Sequence, residues 1–352
     1  MSQTSREIVK RTLRFEHPER MPREMWTLPI GEAAAPEILK EIRRRFPSDF
    51  GGVPPVYRPS ARVQGNPYEA GSFTDDWGCQ FINIQDGVIG EIRDPLLSDL
   101  ADADRVQPPY ETLPEDVSAA RDTVNQACAE SDLFIRGACC PRPWERYQFL
   151  RGTMSAMMDV MDPESGTRSL IRQIHEFYLR ELEFWVSTDV DAINFMDDWG
   201  AQNQLLIPPA IWRDLFRPLY QDYCDLAHAH GKAVFMHSDG HISEIYPDLV
   251  EVGVDALNSQ LFCMDMADLA TKAKGRMTFW GEIDRQHVLT DADPEVGRQA
   301  VRKVAEHLYD TAGGIIAQFE FGAAAQGQTA LAIFEEWECV DTEARSAAGV
   351  TD

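Results

Sequence analysis

The 352-residue chain predicts an α/β fold, a single-domain (β/α)8 TIM barrel carrying a β-hairpin elaboration in its N-terminal third. Three observations predict it. Apolar strand-like runs alternate with amphipathic helical stretches from Pro22 to Trp337, seven or eight times in succession, which calls for parallel strands. Those runs end repeatedly in polar residues, as barrel strands do on the catalytic face. Neither a GxGxxG after the first strand nor a Walker A sequence occurs, which weakens nucleotide-binding versions of the runner-up, a doubly wound open sheet.

Taken in order, Ile8, Val9, Leu13 and Phe15 are spaced for a helix from Ser5 that Pro18 stops. Arg20 to Trp26 reads as a first strand offering Arg23 and Glu24 at its end, and a helix follows from Pro36 to Phe46. From Pro54 to Pro114 prolines, glycines and alternating residues replace helical periodicity. Within that stretch, Thr74–Ile84 and Val88–Ile92 flank Gln85-Asp86-Gly87, a hairpin signature with Asp-Gly at the turn. Regular alternation resumes with a helix at Val117–Glu130 and a strand at Leu133–Gly137, then helices across Trp144–Met161 and Pro163–Ser187. The strand Asp191–Met196 ends in Asp197-Asp198-Trp199-Gly200. A helix from Pro209 closes at Gly231, where a left-handed C-cap suits glycine. Strands are then expected at Lys232–Met236, Val254–Asn258, Met277–Gly281 and Gly313–Gln318, with helices between them and a short helix over Thr329–Trp337. Asp293 followed by Pro294 starts one of those helices well. Residues 1–340 thus form the barrel with 54–114 as its insertion, and the polar tail 341–352 is expected to be disordered.

Thirty-three basic against 58 acidic residues leave a formal charge of −25, which repels nucleic acid and anionic membrane surfaces. No apolar run is long enough for a transmembrane helix, and Met1–Glu7 lacks the apolar core of a secretory signal. Seven scattered cysteines without a CxxC pair indicate neither a zinc ribbon nor a disulfide framework. A cytoplasmic protein with a small-molecule substrate is expected; a homodimer is compatible.

The chain is organised around Ala233-Val234-Phe235-Met236-His237-Ser238-Asp239-Gly240, a short apolar strand ending abruptly in polar residues. His237 and Asp239 fall on one side of an extended segment, suiting metal coordination or proton transfer; a plain Asp-Gly turn is the structural alternative. The other strand ends add Arg23, Asp197, Asp198, Asn258, Glu282, Asp284, Gln318 and Glu320 to the same rim. Carboxylates converging there repel one another unless a cation or protons are present, so a metal, a cationic ligand or rim arginines must balance them. Trp199 and Tyr147 are candidate pocket walls. Cys263, shortly after a strand end, is a candidate thiolate ligand beside His237. Met154, Met157, Met158 and Met161 form a helical stripe that reads as flexible core. Asp-Asp-Trp-Gly-x-Gln occurs at both Asp75–Gln80 and Asp197–Gln202 in different surroundings, a coincidence rather than a repeat.

Several of these segments carry a resemblance. Arg11-Thr12-Leu13-x-Phe15-x-x-Pro18-x-Arg20-x-Pro22, Asp76-Trp77-Gly78-Cys79, Asp197-Asp198-Trp199-Gly200, His230-Gly231-Lys232 through His237-Ser238-x-Gly240, and Gly253-Val254-Asp255-x-Leu257-Asn258 follow one another along the chain. Together they resemble the uroporphyrinogen decarboxylase superfamily, in particular its methyltransferase-like branch. The resemblance implies a (β/α)8 barrel, and either cofactor-free decarboxylation or zinc-dependent methyl transfer with a corrinoid protein. In the methyltransferases a His-x-Cys-Gly motif and a later cysteine hold the zinc. Here His237 and Gly240 match, Asp239 replaces the cysteine, and Gln318-Phe319-Glu320-Phe321 near the last strand holds none. A ligand set of His237, Asp239 and Glu320, with Cys263, stays open, as does a site without zinc. The glycine-arginine-rich N-terminal motif of the decarboxylases is missing around Pro22–Ile30.

The expectation is methyl transfer between a small substrate or folate and a corrinoid (cobalamin) carrier. His237 would be metal ligand or general acid/base, Asp239 its partner and Glu282 a third catalytic residue. Asp198, Trp199, Arg23, Tyr147, Asn258 and Gln318 would bind substrate. Decarboxylation of a porphyrinogen-like or other carboxylated substrate, for which Arg23 and Arg136 would be needed, is the alternative. A barrel that binds a small molecule or corrinoid without chemistry is the second.

Overall fold

The computed structural model describes residues 2–349. Its centre is a curled sheet of six parallel strands, β1 (Arg23–Thr27), β7 (Ala192–Met196), β8 (Ala233–Ser238), β9 (Ala256–Ser259), β10 (Thr278–Trp280) and β11 (Ile315–Phe321), in the order β1-β11-β10-β9-β8-β7. Helices between successive strands make every neighbour parallel, which hairpins cannot do. β2 (Phe50–Gly51) and β6 (Phe134–Ile135) form a parallel pair beside it. A parallel bridge from Arg136 to Ala192 joins this pair to β7, and the Asp49 amide donates to the Arg23 carbonyl at 3.0 Å on the other side. The shown architecture is therefore a curled parallel half-barrel with a two-stranded flank.

The period of two decides what faces inward. Phe50, Phe134, Ala192, Phe235, Ala256, Trp280 and Ile316, each from a different strand, pack as one interior cluster. The residues between them, such as Val234, Met236, Leu257 and Phe279, pack outward against helices. Just above that cluster Arg136 pairs with Glu24 and lies over Trp280, its guanidinium carbon 4.5 Å from the ring centroid, while Trp280 Nε1 donates to Glu24 at 2.9 Å.

The same period corrects one expectation. Glu24 and Trp26 point into the curl, so Arg23 between its neighbours points out; its guanidinium lies over Phe46, 5.4 Å away, and Glu338 is its nearest carboxylate at 4.0 Å. Arg23 lies outside the strand-end site.

Residues 54–114 hold three antiparallel strands: β3 (Gly71–Thr74), β4 (Gln80–Asn83) and β5 (Glu91–Ile92). The turn at Asp86-Gly87 lies between β4 and β5, where Phe81 faces Ile92. What was read as one strand over Thr74–Ile84 breaks at Asp75-Asp76-Trp77-Gly78, because Gly78 turns with φ 87° and the Asp75 carboxylate takes the Cys79 amide at 2.8 Å.

The C-terminal end also differs. In place of a short helix, one helix spans Gly327–Ala347 and takes in much of the tail expected to be disordered; residues 350–352 of that tail lie outside the described residues. Asp341 and Arg345 in the helix's last turns are buried rather than solvated. Asp341 accepts from the Met21 amide (3.1 Å), Tyr309 Oη (2.6 Å) and Arg345 Nε (2.9 Å), and Arg345 donates to the Pro18 carbonyl. Ending the chain at Val340 is expected to cost about 3 kcal/mol or more, since three hydrogen bonds to a buried carboxylate vanish together. Chemical denaturation of the shortened chain measures this; unchanged stability would contradict it.

Candidate active site at the strand ends

His237 is the last inward residue of β8, two positions after the interior Phe235. Its Nδ1 is 2.7 Å from Asn258 Oδ1, across the β8–β9 register that pairs these residues. The orientation of that amide is fixed independently. Asn258 Nδ2 donates to the Trp280 carbonyl and, at 2.9 Å, to Gln318 Oε1. Only the Asn258 oxygen is left for His237, so Nδ1 carries the proton and Nε2 presents its lone pair outward. Trp26 flanks the ring at 5.6 Å between centroids.

Nε2 faces two carboxylates, Asp198 at 3.6 Å and Asp239 at 3.5 Å. These exceed hydrogen-bond length, and the three donor atoms lie within 4.8 Å of one another, as ligands around a common ion do. Asp239 Oδ1 is buried without a partner. The set of one imidazole and two carboxylates therefore fits a zinc-like or other borderline divalent ion.

Asp198 reaches this cluster because its neighbour does a different job. Asp197, fully buried, accepts from the Trp144 and Glu145 amides at 2.9 and 2.8 Å, capping the helix Pro143–Arg151, and from Tyr220 Oη at 2.6 Å. Alternation then turns Asp198 inward, where it accepts from the Asp239 amide at 2.9 Å. Burial raises the Asp198 pKa, with His237 opposing.

Two residues that the sequence left out complete the electrostatics. Arg285 is ion-paired with Asp239, lies 3.3 Å from Glu320 and 3.6 Å from Glu282. It is an internal counter-ion for three of the converging carboxylates. No strand-end pattern marks it, since it lies in the loop beyond β10. Glu145, in the first turn of the helix that Asp197 caps, is buried, and burial pushes its carboxyl up to about 7 while Arg142 and His237 hold it down. A glutamate inside a helix had no strand-end pattern to reveal it. Glu282 is 2% exposed with both oxygens unpartnered. Burial raises it to about 8 against the pull of Arg285.

The other candidates lie as follows. Asn258 and Gln318 join the cluster through the relay described. Glu320 is bound to Arg285 and lies outside the three-residue cluster. Cys263 Sγ donates to the Gln260 carbonyl at 3.0 Å, and burial lifts its thiol to about 11, so it is not a thiolate. It lines a small cavity of about 80 Å³ with Glu282, Arg285 and Gln260. Trp199 and Tyr147 are 0% exposed and line no wall. Trp199 stacks on Trp144 and donates to Tyr220 at 2.8 Å, whereas Tyr147 donates to Asp159 at 2.9 Å. Both are core residues. Within the methionine stripe, Met154, Met158 and Met161 are exposed at 76, 64 and 58%, so that stripe is not core.

A larger cavity of about 490 Å³ opens between the insertion and the helix Ser165–Val186. On its floor Glu181 accepts from Tyr57 Oη at 2.8 Å, its second oxygen is unpartnered, and burial pushes its carboxyl up to about 7. A folded-state pKa above the unfolded value means that stability is present below pH 4.5 and lost as pH rises through 7. Glu181→Gln is therefore expected to lessen the decline in stability between pH 4.5 and 8 by about 3 kcal/mol. Denaturation curves at both pH values decide this; equal declines in the two proteins would refute it.

A family model described as uroporphyrinogen decarboxylase (URO-D) matches residues 74–330. Among solved structures, a methyltransferase from Methanosarcina mazei is similar, with a TM-score of 0.68 over 96% of this chain and 98% of that one, at 12% identity. An endo-β-1,4-xylanase from Gloeophyllum trabeum is much less alike, with a TM-score of 0.36 over 62% of this chain and 80% of that one, at 10% identity. No curated protein sequence matches the chain.

Proposed function

Because the chain belongs to the uroporphyrinogen decarboxylase family, we propose that it is a methyltransferase of that family, moving a methyl group between a small substrate or folate and a corrinoid. The observation that carries this reading is the outward Nε2 of His237, set between Asp198 and Asp239. The likeness to a methyltransferase over nearly the whole chain supports it. In the same reading the six-stranded curl and the β2–β6 pair are the eight strands of a closed (β/α)8 barrel, supported by the Arg136–Ala192 bridge and the Asp49–Arg23 hydrogen bond.

A corrinoid, when bound, supplies a cobalt–carbon bond from which methyl leaves without its bonding electrons. His237, Asp198 and Asp239 would hold a divalent ion, which lowers the pKa of an acceptor's proton at neutral pH. Without an ion, Nε2 takes that proton itself and the two carboxylates stabilise the imidazolium. Asn258 keeps the proton on Nδ1 in either case. Glu282, its carboxyl pushed up by burial, would donate a hydrogen bond towards negative charge on the substrate when protonated, and Arg285 limits repulsion among the acids.

The decarboxylase alternative has less support, because Arg136 is spent on Glu24 and Arg23 faces the helices. Incubating the protein with methylcobalamin plus tetrahydrofolate, and separately with uroporphyrinogen, tests the choice. Demethylation of the corrinoid, followed by its absorbance, is the expected result. Loss of carbon dioxide from the porphyrinogen, read by product mass, would replace methyl transfer with decarboxylation. Inertness in both would leave a binding barrel.

A further inference from the structure

We propose that the 490 Å³ cavity between the insertion and the helix Ser165–Val186 is the substrate subsite, and that it takes a small carboxylic acid whose carboxylate is held by Arg142. The proposal rests on the methyltransferase reading for what happens next to it, but not for the binding itself. The volume suits a metabolite-sized ligand. Val63, Phe73, Trp77 and Phe177 supply apolar wall.

Three guanidinium groups line the cavity, and two are already engaged. Arg146 is paired with Asp75, and Arg58 donates to Glu115 at 2.9 Å. Arg142 has no such partner. Among the described residues its nearest carboxylate oxygen, on Glu145, is 3.9 Å away, and its only short side-chain contact is Cys140 Sγ at 3.4 Å. An arginine left with a free edge in a half-enclosed, partly apolar cavity is suited to a planar two-oxygen anion. Across the cavity, Asp76 lacks a side-chain cation of its own, since the adjacent Arg146 is held by Asp75. It offers an acceptor for a hydroxyl or amine on the same ligand.

The cavity is also in the right place. Arg142 immediately precedes the helix whose first turn is fixed on Asp197, and Asp198 is the next residue of that loop. Glu145 is 3.9 Å from Arg142, and its carboxyl also feels the charges of Asp198 and His237. The lining stops short of His237, Asp198 and Asp239, so a carboxylic acid anchored on Arg142 sits beside the loop that carries Asp198. The general field of a chain with net charge −25 opposes anions, so a local guanidinium without a partner is what such a substrate requires.

Lactate, which has both a carboxylate and a hydroxyl, is a suitable probe, with lactamide as its neutral counterpart. Titrations of the full chain by saturation-transfer NMR compare wild type with Arg142→Gln, Arg142→Lys and, as a control on the same cavity wall, Arg58→Gln. Lactate should bind wild type and Arg58→Gln alike. Its affinity should fall about tenfold or more in Arg142→Gln, the loss typical of a charge-assisted hydrogen bond. Arg142→Lys should keep part of it, because the charge remains without the fork; this variant serves if the glutamine variant does not fold. Lactamide should bind no site saturably. The proposal is overturned if wild type does not bind lactate, if neither Arg142 variant weakens it, or if lactamide binds equally well. Because the readout is equilibrium binding, failure of the corrinoid assay leaves it standing, and failure of lactate binding leaves that assay standing.

Discussion

His237→Ala is expected to lower kcat/KM by roughly 10²–10⁴-fold while leaving the thermal unfolding midpoint within a few degrees of wild type. Nε2 of His237 is turned to the rim carboxylates Asp198 and Asp239 rather than to the core. Metal analysis splits the two chemical roles. Loss of bound divalent ion in the variant assigns coordination; a wild type that binds none in a titration assigns proton transfer. Asn258→Asp is informative beside it, because a carboxylate still accepts from Nδ1 and preserves the tautomer. If His237→Ala unfolds the protein, or retains full activity, the centre has been misplaced.

Arg285→Met is expected to have the largest effect on stability. The guanidinium is the shared partner of Asp239, Glu282 and Glu320, all largely buried. Removing one member of such an arrangement leaves uncompensated charge and costs about 3–5 kcal/mol. The pH dependence has a definite sign. Glu282 already lies above its unfolded value, and Arg285 holds it down. Without that arginine its pKa climbs further, so the stability it contributes below pH 4.5 is lost over a longer span as pH rises. Chemical denaturation at pH 7 and pH 9.5 should show the variant closer to wild type at the lower pH, because with the wild-type carboxyl at about 8 the two proteins part only above that value. A uniform loss at both would mean that packing, rather than charge, is what Arg285 provides.

How far the site could be read from the chain depends on which geometry each residue obeys. His237, Asp239, Asn258, Gln318 and Glu282 follow apolar strands by fixed steps, and two-residue alternation carries them inward without further information. The same rule, applied one position off, misplaced Arg23: a strand's polarity is plain in the sequence, but its phase requires knowing which neighbour is buried inside. Trp199 and Tyr147 were misread because an aromatic beside a polar loop looks like a pocket wall, whereas stacking on Trp144 and bonding to Asp159 put them in the core. Glu145 and Arg285 were invisible, since both reach the site from outside the strands. The need for a cation among the acids was legible; that a residue three positions beyond Glu282 would supply part of it was not. The polar segment after Val340 looked solvated only because its partners, Met21, Pro18 and Tyr309, come from elsewhere in the chain.

The pairing of Arg23 with Ala317 has a consequence for how the molecule is made. At a synthesis rate of about 5–20 residues per second, the first strand of the sheet waits roughly 15–60 s on the ribosome before its neighbour exists. The last helix, which receives the Met21 amide on Asp341, arrives later still. Throughout that interval β1 presents an unpaired edge with Trp26 exposed, the kind of edge that recruits other chains. Pairing of β1 with β11 is therefore a long-range closure, the kind that slows folding and prolongs the exposure of an unpaired edge.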